Sequence, residues 1–345
     1  MSNISTLNSK LVSSIDDKYP IDLAYGKMGI CIYFYYLSRW EDNDEYKQIA
    51  DRLLDEIIDK LSNKENMGVA YRLAGVAVGI SHLVKEKFIG GDINEILEDV
   101  DSHIFKILAF LKNEESNYSN HILIYLLFYS CLRFKEQSSS DGKYIFQEFI
   151  IKIVEIFQRN LFSDFSNEHF SFYTHKYQYF TSLYVISNIY DLNIYNYRIT
   201  KIIEEIIGPI LSTIPVLQVN RLYLLCGLLC IMPCLQNCTR EINAHIHLLK
   251  EKIDIDYLVN VELKNQDIYI KNGISLVYIL LFFIQHKYPD YQFDYNLSLF
   301  YNKINSSEAW NALISREDYY NVHRGLLDGF PGAYLISLFI KKHLQ

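Results

Sequence analysis

Tyr25-Gly26-Lys27-Met28-Gly29-Ile30 opens an apolar run that continues through Leu37, and this stretch decides the fold because its grammar returns along the chain. Arg72-Leu73-Ala74-Gly75 leads into Val76–Leu83, and Asp328-Gly329-Phe330-Pro331-Gly332 leads into Ala333–Ile340. With the residue before each apolar run as anchor, the series is Gly29, Gly75, His121, Tyr179, Gly227, Gly273 and Gly332, with separations of 46, 46, 58, 48, 46 and 59 residues. Self-similarity at a fixed period of this size is the signature of a repeat-built fold. The two wide gaps contain insertions, placed at Glu136–Lys143 with Phe162–Thr174 and around Asp294–His323.

Amphipathic segments fill the spaces between the apolar runs. Tyr46, Ile49, Ala50, Leu53, Leu54, Ile57, Ile58 and Leu61 recur every three or four residues, while Asp44, Lys47, Asp51, Asp55 and Lys60 cover the other face. Phe146, Phe149, Ile150, Ile153 and Val154 form a second stripe, preceded by the turn residues Asp141 and Gly142. Nothing reads as a period-two strand. Each repeat is therefore expected to be a hairpin of one outer, half-solvated helix and one inner helix that is apolar on nearly all sides. An inner helix of that kind must be enclosed by protein. The first and last runs are as apolar as the middle ones, whereas an open solenoid needs polar caps. The expectation is a single all-α domain over 1–345, an α/α toroid (double helical barrel) of seven helical hairpins.

Composition narrows the function. The chain has 33 Lys and Arg against 41 Asp and Glu, for a net charge of −8, and no basic cluster, which argues against a nucleic-acid partner. Its beginning is polar, without the basic-then-apolar layout of a signal peptide. The apolar runs near His121–Leu132, Leu222–Met232 and Ile274–Ile284 are about half the roughly 20 residues that a membrane span requires. A cytoplasmic protein without a membrane span is expected. Cys226, Cys230, Cys234 and Cys238 are evenly spaced, but a helix would spread them over roughly 18 Å, too far for one tetrahedral zinc. They read as small buried side chains. His245 and His247 flank Ile246 and do not face one another on a helix. No phosphate loop, HExxH or dinucleotide fingerprint is present.

If every repeat has the same order, the inner helices run parallel and their N-termini meet at one mouth, which collects unpaired amides and the positive ends of helix dipoles. The residue four before each anchor is Tyr25, Tyr71, Asn117, His175, Tyr223, Tyr269 or Asp328, and all seven can hydrogen-bond. Two readings of this column stay open: a ligand-binding rim, or tyrosines closing the ends of a crowded barrel. His175 is the column's one histidine, either a catalytic acid or base or a packed, hydrogen-bonded ring. Asp22, Asp328 and Glu114 or Glu115 lie near inner-helix starts, so paired carboxylates of a carbohydrate-active toroid enzyme are the alternative.

The glycine-x-x-glycine lead-ins at Gly26-Lys27-Met28-Gly29-Ile30, Leu73-Ala74-Gly75-Val76 and Gly329-Phe330-Pro331-Gly332-Ala333 resemble those of the lanthionine synthetase C-like family, over about residues 20–342. The resemblance implies an α/α toroid and a role in the maturation of ribosomally made peptides. Family members are zinc enzymes that add Cys thiols to dehydroamino acids. At the positions that would supply the zinc ligands this chain has Leu222, Ile268 and Tyr269, and a leucine or isoleucine cannot bind zinc. The family's fourth-repeat His-Gly-x-x-Gly aligns with His175-Lys176-Tyr177-Gln178-Tyr179, keeping the histidine and neither glycine. The resemblance, less its metal ligands, implies a zinc-free, cofactor-free protein, either a non-catalytic pseudoenzyme or a metal-free enzyme. Its expected partners are a precursor peptide and a peptide-modifying enzyme.

Overall fold

The structure is a computed structural model and describes residues 4–62, 70–109, 120–166, 178–235 and 239–344. Among the described residues the protein is all-α, without a strand. In chain order the helices are α1 (Ile4–Ser14), α2 (Lys27–Glu41), α3 (Asp44–Ser62), α4 (Ala70–Lys85), α5 (Ile93–Ala109), α6 (Asn120–Glu136), α7 (Ser140–Ser166), α8 (Gln178–Asp191) and α9 (Asn196–Leu211). They continue as α10 (Gln218–Ile231), α11 (Thr239–Glu251), the single turn α12 (Ile255–Tyr257), α13 (Ile274–Lys287), α14 (Leu297–Asn305), α15 (Ala309–Ser315), α16 (Glu317–Val322) and α17 (Phe330–Leu344). No described helix is long and apolar enough to cross a membrane.

The chain divides into two compact units. One comprises Met1–His103, Val259–Ile279 and Asp294–Gln345, and the other Ile104–Leu258 and Leu280–Phe293. In the second unit α6, α8 and α10 pack side by side, α7, α9 and α11 do the same, and the connected pairs α6–α7, α8–α9 and α10–α11 pack across the two rows. This is the layering that repeated hairpins demand. In the first unit α2 packs on α3, α4 and α17, and α14 on α17.

Inner and outer helices differ as their patterns require. In α2 the residues Lys27–Tyr35 are all buried, and in α10 so are Val219, Asn220 and Leu222–Ile231. In α3 the stripe Ala50, Leu53, Leu54, Ile57 and Leu61 is buried, while Ile58 is 41% exposed at the edge of the stripe. The first and last repeats meet directly. The Tyr33 ring stands edge-on to Phe330 and Tyr334, and the Tyr334 hydroxyl donates to Glu41 Oε1 at 3.0 Å.

Three sequence expectations change in detail. Glu136–Lys143 is not an insertion: α6 runs to Glu136 and α7 starts at Ser140. Asp141 and Gly142 lie in the first turn of α7, because the Ser139 hydroxyl already caps the helix by accepting from Gly142 N at 3.1 Å. The stretch around Asp294–His323 is helical, forming α14, α15 and α16. Of the other proposed insertion, Phe162–Ser166 is the end of α7 and 167–174 lies outside the described residues.

Candidate functional site

Three glycine anchors of the first unit, Gly29, Gly273 and Gly332, share one geometry dictated by backbone crowding, whereas Gly75 lies inside α4, where a Cβ would make only ordinary contact with Leu23. A Cβ on Gly29 would stand less than 3.0 Å from the Leu23 carbonyl oxygen, one on Gly273 equally close to that of Asp267, and one on Gly332 to that of Leu326. In all three the obstructing carbonyl is six residues back. The earlier glycine of the motif is crowded by the residue four back, Gly26 by Asp22 and Gly329 by Gly325. Only glycine lets the turn fold this tightly onto the first turn of its helix.

The three lead-in turns are joined to one another. Lys271 N donates to the Leu327 carbonyl at 2.7 Å, and Leu327 N donates to the Ala24 carbonyl at 3.3 Å. Segments far apart in sequence therefore meet at the N-terminal ends of α2, α13 and α17. Helix amides and dipole-positive ends converge there together with polar side chains.

Tyr25 is 40% exposed, and the Lys271 ammonium donates to its hydroxyl at 2.7 Å while lying 5.3 Å from its ring centre. Tyr269 is buried, donates to the Tyr319 hydroxyl at 2.8 Å, and stacks on the His323 imidazole at 4.3 Å with the rings 10° apart. Burial and the bond to Tyr319 raise the Tyr269 phenol well above its ordinary range. The Tyr319 ring also lies 4.3 Å from the His323 ring, tilted by 48°. His323 Nδ1 lies 2.6 Å from the Asp328 carbonyl. A carbonyl only accepts, so Nδ1 carries a proton and donates it there.

Asp328 is half-buried, and its carboxyl is raised above the usual carboxylate range, first by desolvation and in smaller part by the charge of Asp22. Lys271, the backbone amide of Asp328 itself and His323 oppose the shift. Its Oδ1 is buried and accepts no hydrogen bond among the described residues. The neighbouring turns treat their carboxylates differently. Asp22 Oδ1 accepts from Tyr25 N at 2.8 Å, and Asp267 Oδ2 accepts from Lys264 N at 3.2 Å.

Of the seven column residues, Tyr25, Tyr269 and Asp328 are brought together here. Tyr71 is the second residue of α4, with its side chain outside the described part, and Asn117 and His175 lie outside the described residues, as do Glu114 and Glu115. Tyr223 is a correction. It is the sixth residue of α10 and is fully buried inside the helix, so it does not stand at a helix start. The helix begins as early as Gln218 because Arg221 pins the preceding segment, donating to the carbonyls of Pro215, Val216 and Lys252 at 2.6–2.8 Å. Lys271, His323, Arg324, Tyr319 and Tyr19 escape a reading of one column. Tyr319 lies in α16 and the other four sit in the lead-in turns, so aligning whole turns instead of single positions would have reached Lys271 and His323.

Leu222 and Ile268 are fully buried and carry no donor atom, and Tyr269 is engaged with Tyr319, so these residues do not fit a zinc ion. Among the described residues no group of three or more His, Cys, Asp or Glu is arranged around a common point. Cys226, Cys230 and Cys234 are free and buried, and burial pushes the Cys230 thiol up to about 11 and that of Cys234 up to about 12. They remain protonated near neutrality and are poor nucleophiles. No family model matches the chain, and no curated protein or solved structure does either.

Proposed function

We propose that this chain is a zinc-free, divergent member of the lanthionine synthetase C-like family, a seven-hairpin α/α toroid. It works in the cytoplasm on the maturation of a ribosomally made peptide, binding that peptide where its lead-in turns converge. The observation that carries the reading is the common glycine-dictated turn before α2, α13 and α17, joined turn to turn, with Tyr25, Tyr269, Lys271, His323 and Asp328 gathered around it. Direct packing of the first repeat on the last supports closure of the ring. A phenol- and lysine-lined surface suits a peptide, offering aromatic area with donors and acceptors at its edge.

Binding of a Cys- and Ser-rich precursor peptide tests this. Wild type is expected to bind, and Lys271→Met and Tyr269→Phe to weaken binding about tenfold, the value of one charge-assisted or buried hydrogen bond. His175→Ala reports on the fourth-repeat position. Equal binding by wild type and all three variants removes this surface as the peptide site. Stoichiometric zinc in the purified protein removes the metal-free part.

The carbohydrate-active alternative has one observation in its favour: the Asp22 charge acts on Asp328, and Asp328 has the raised carboxyl that a general acid needs. Against it, one oxygen of Asp22 is committed to capping Tyr25 N. Release of reducing ends from a polysaccharide by wild type and not by Asp328→Asn would favour this second reading over the first.

A further inference from the structure

Asn272-Gly273 is the one Asn-Gly pair in the sequence, and it stands in the lead-in turn of α13, beside Lys271. The fold dictates the glycine. A Cβ there would stand less than 3.0 Å from the Asp267 carbonyl oxygen and from Tyr269 N, so only glycine fits. Nothing comparable holds the asparagine. Asn272 is exposed, and its carboxamide makes no hydrogen bond among the described residues. The Gly273 N–H makes none either, although amides on both sides of it are bound. Lys271 N donates to the Leu327 carbonyl at 2.7 Å, and Ile274 N to that of Asp267 at 2.8 Å. Asn305-Ser306, in the same unit, has the opposite arrangement. Asn305 Nδ2 donates to the Tyr301 carbonyl at 2.7 Å, its Oδ1 accepts from Ser337 at 2.9 Å, and Ser306 N donates to the Asn302 carbonyl at 2.9 Å.

A free asparagine carboxamide followed by an unbonded main-chain nitrogen that no side chain shields is an electrophile next to its own nucleophile. We propose that Asn272 is a site of spontaneous deamidation that alters the joined turns of the first unit. Gly273 N, losing its proton to base, attacks Asn272 Cγ. The new C–N bond closes a succinimide ring, the bond from Cγ to Nδ2 breaks, and ammonia leaves. Water then opens the ring at either carbonyl. Attack at the side-chain carbonyl restores the original main chain and leaves aspartate, whereas attack at the main-chain carbonyl leaves isoaspartate, with the chain routed through the side chain and longer by a methylene. Aspartate places a negative charge at the N-terminal end of α13, where the helix dipole favours it, and next in sequence to the lysine that bonds to Tyr25. Isoaspartate lengthens the chain between Lys271 and Ile274, so their bonds to Leu327 and Asp267 cannot both keep their geometry. The turn thereby carries a chemical timer that loosens the α13 lead-in from that of α17. The reaction is independent of whether this surface binds a peptide.

The test incubates the full chain at mildly alkaline pH, digests it at acid pH, where cyclisation stops, and follows Asn272 and Asn305 by mass spectrometry. The free peptide acetyl-Ile-Lys-Asn-Gly-Ile-amide reports the rate without the fold. Asn272 is expected to convert within about tenfold of the peptide's rate, a barrier raised by no more than about 1.4 kcal/mol, and to convert faster as pH rises. Asn305 should stay an amide over the same time, and Asn272→Gln, whose larger ring closes slowly, should not convert. The isoaspartate form, separated chromatographically, should exchange the Lys271 and Ile274 amide hydrogens about tenfold faster than the unmodified chain, the loss of one modest hydrogen bond. Asn272→Asp should keep them protected. No conversion at Asn272 while the peptide converts, or conversion of Asn305 at the same rate, overturns the assignment of the site. Unchanged protection of both amides in the isoaspartate form, or loss of its whole fold in thermal unfolding, overturns the local effect on the turn.

Discussion

Helices α2 and α10 present the same sequence spacing and opposite structures. Each carries a glycine anchor with a tyrosine four residues earlier, Tyr25 before Gly29 and Tyr223 before Gly227, yet Tyr25 stands 40% exposed in a turn and Tyr223 is wholly inside a helix. The difference lies upstream. Before α2 the backbone folds on itself, with Gly26 N donating to the Asp22 carbonyl and Lys27 N to that of Pro20, and the side chain of Asp22 closes the turn on Tyr25 N. Before α10 no such turn forms, and Arg221 instead ties the Pro215–Val216 segment down so that the helix begins at Gln218. Spacing to a glycine locates a residue at a helix start only where the residues before the glycine can build the turn.

The contrast is broken most directly by truncating the two tyrosines. Tyr223→Ala should cost about 3–5 kcal/mol in urea unfolding, the range for losing a large core aromatic, whereas Tyr25→Ala should stay within about 1 kcal/mol. Comparable losses at the two positions would mean that Tyr25 is structural and that the exposed turn is not poised for a ligand.

A second pair sharpens the role of the turn. Gly332 lies against the Leu326 carbonyl and the Ile270 side chain, while a Cβ on Gly208, in α9, would meet nothing within 4 Å. Gly332→Val is expected to destabilise by about 2–4 kcal/mol through overpacking against backbone that cannot yield. Gly208→Ala should change stability by less than about 1 kcal/mol, because the helix propensity gained is opposed by crowding of the new Cβ against the ring of Pro209. Denaturation midpoints read both, and a stabilising Gly332→Val would show that the common turn is not what fixes that glycine.

These pairs also mark how far the sequence was legible. The helices were, because a three-to-four-residue apolar period is local: α3 buries the stripe that Ala50, Leu53, Leu54, Ile57 and Leu61 spell out. Of the seven proposed column positions four have described side chains; Tyr25, Tyr269 and Asp328 lie beside the joined turns, where glycine-dictated backbone makes spacing informative, and Tyr223 does not. Tyr223 was misplaced because hydrogen bonds from Arg221 to Pro215, Val216 and Lys252 set the start of α10, and no periodicity registers them. His323 and Arg324 were missed for a different reason. They pack on Tyr269 and Tyr19, partners 54 and 305 residues away, and such convergence exists only once the turns are joined.

The smallest expected effect separates the three turn carboxylates from one another. Asp22 and Asp267 each accept a backbone N–H, whereas the Asp328 Oδ1 accepts none and its carboxyl is raised. For a carboxyl raised above its unfolded value the folded state holds the proton longer, so between the unfolded value near 3.8 and the raised one the native protein binds more protons and stability falls as pH rises. Below that window the carboxyl is protonated in both states and the penalty is absent. Asp328→Asn, which cannot ionise, should therefore be more stable than wild type at pH 7, with the advantage shrinking to nothing as pH falls towards 3.8. The gain is modest because Asp328 is only half-buried and solvent screens its charge. Asp22→Asn should do the reverse at its own turn, weakening the cap on Tyr25 N. Urea unfolding across pH for the two variants reads the difference. If Asp328→Asn lost stability at pH 7 as Asp22→Asn does, Asp328 would be one more turn cap.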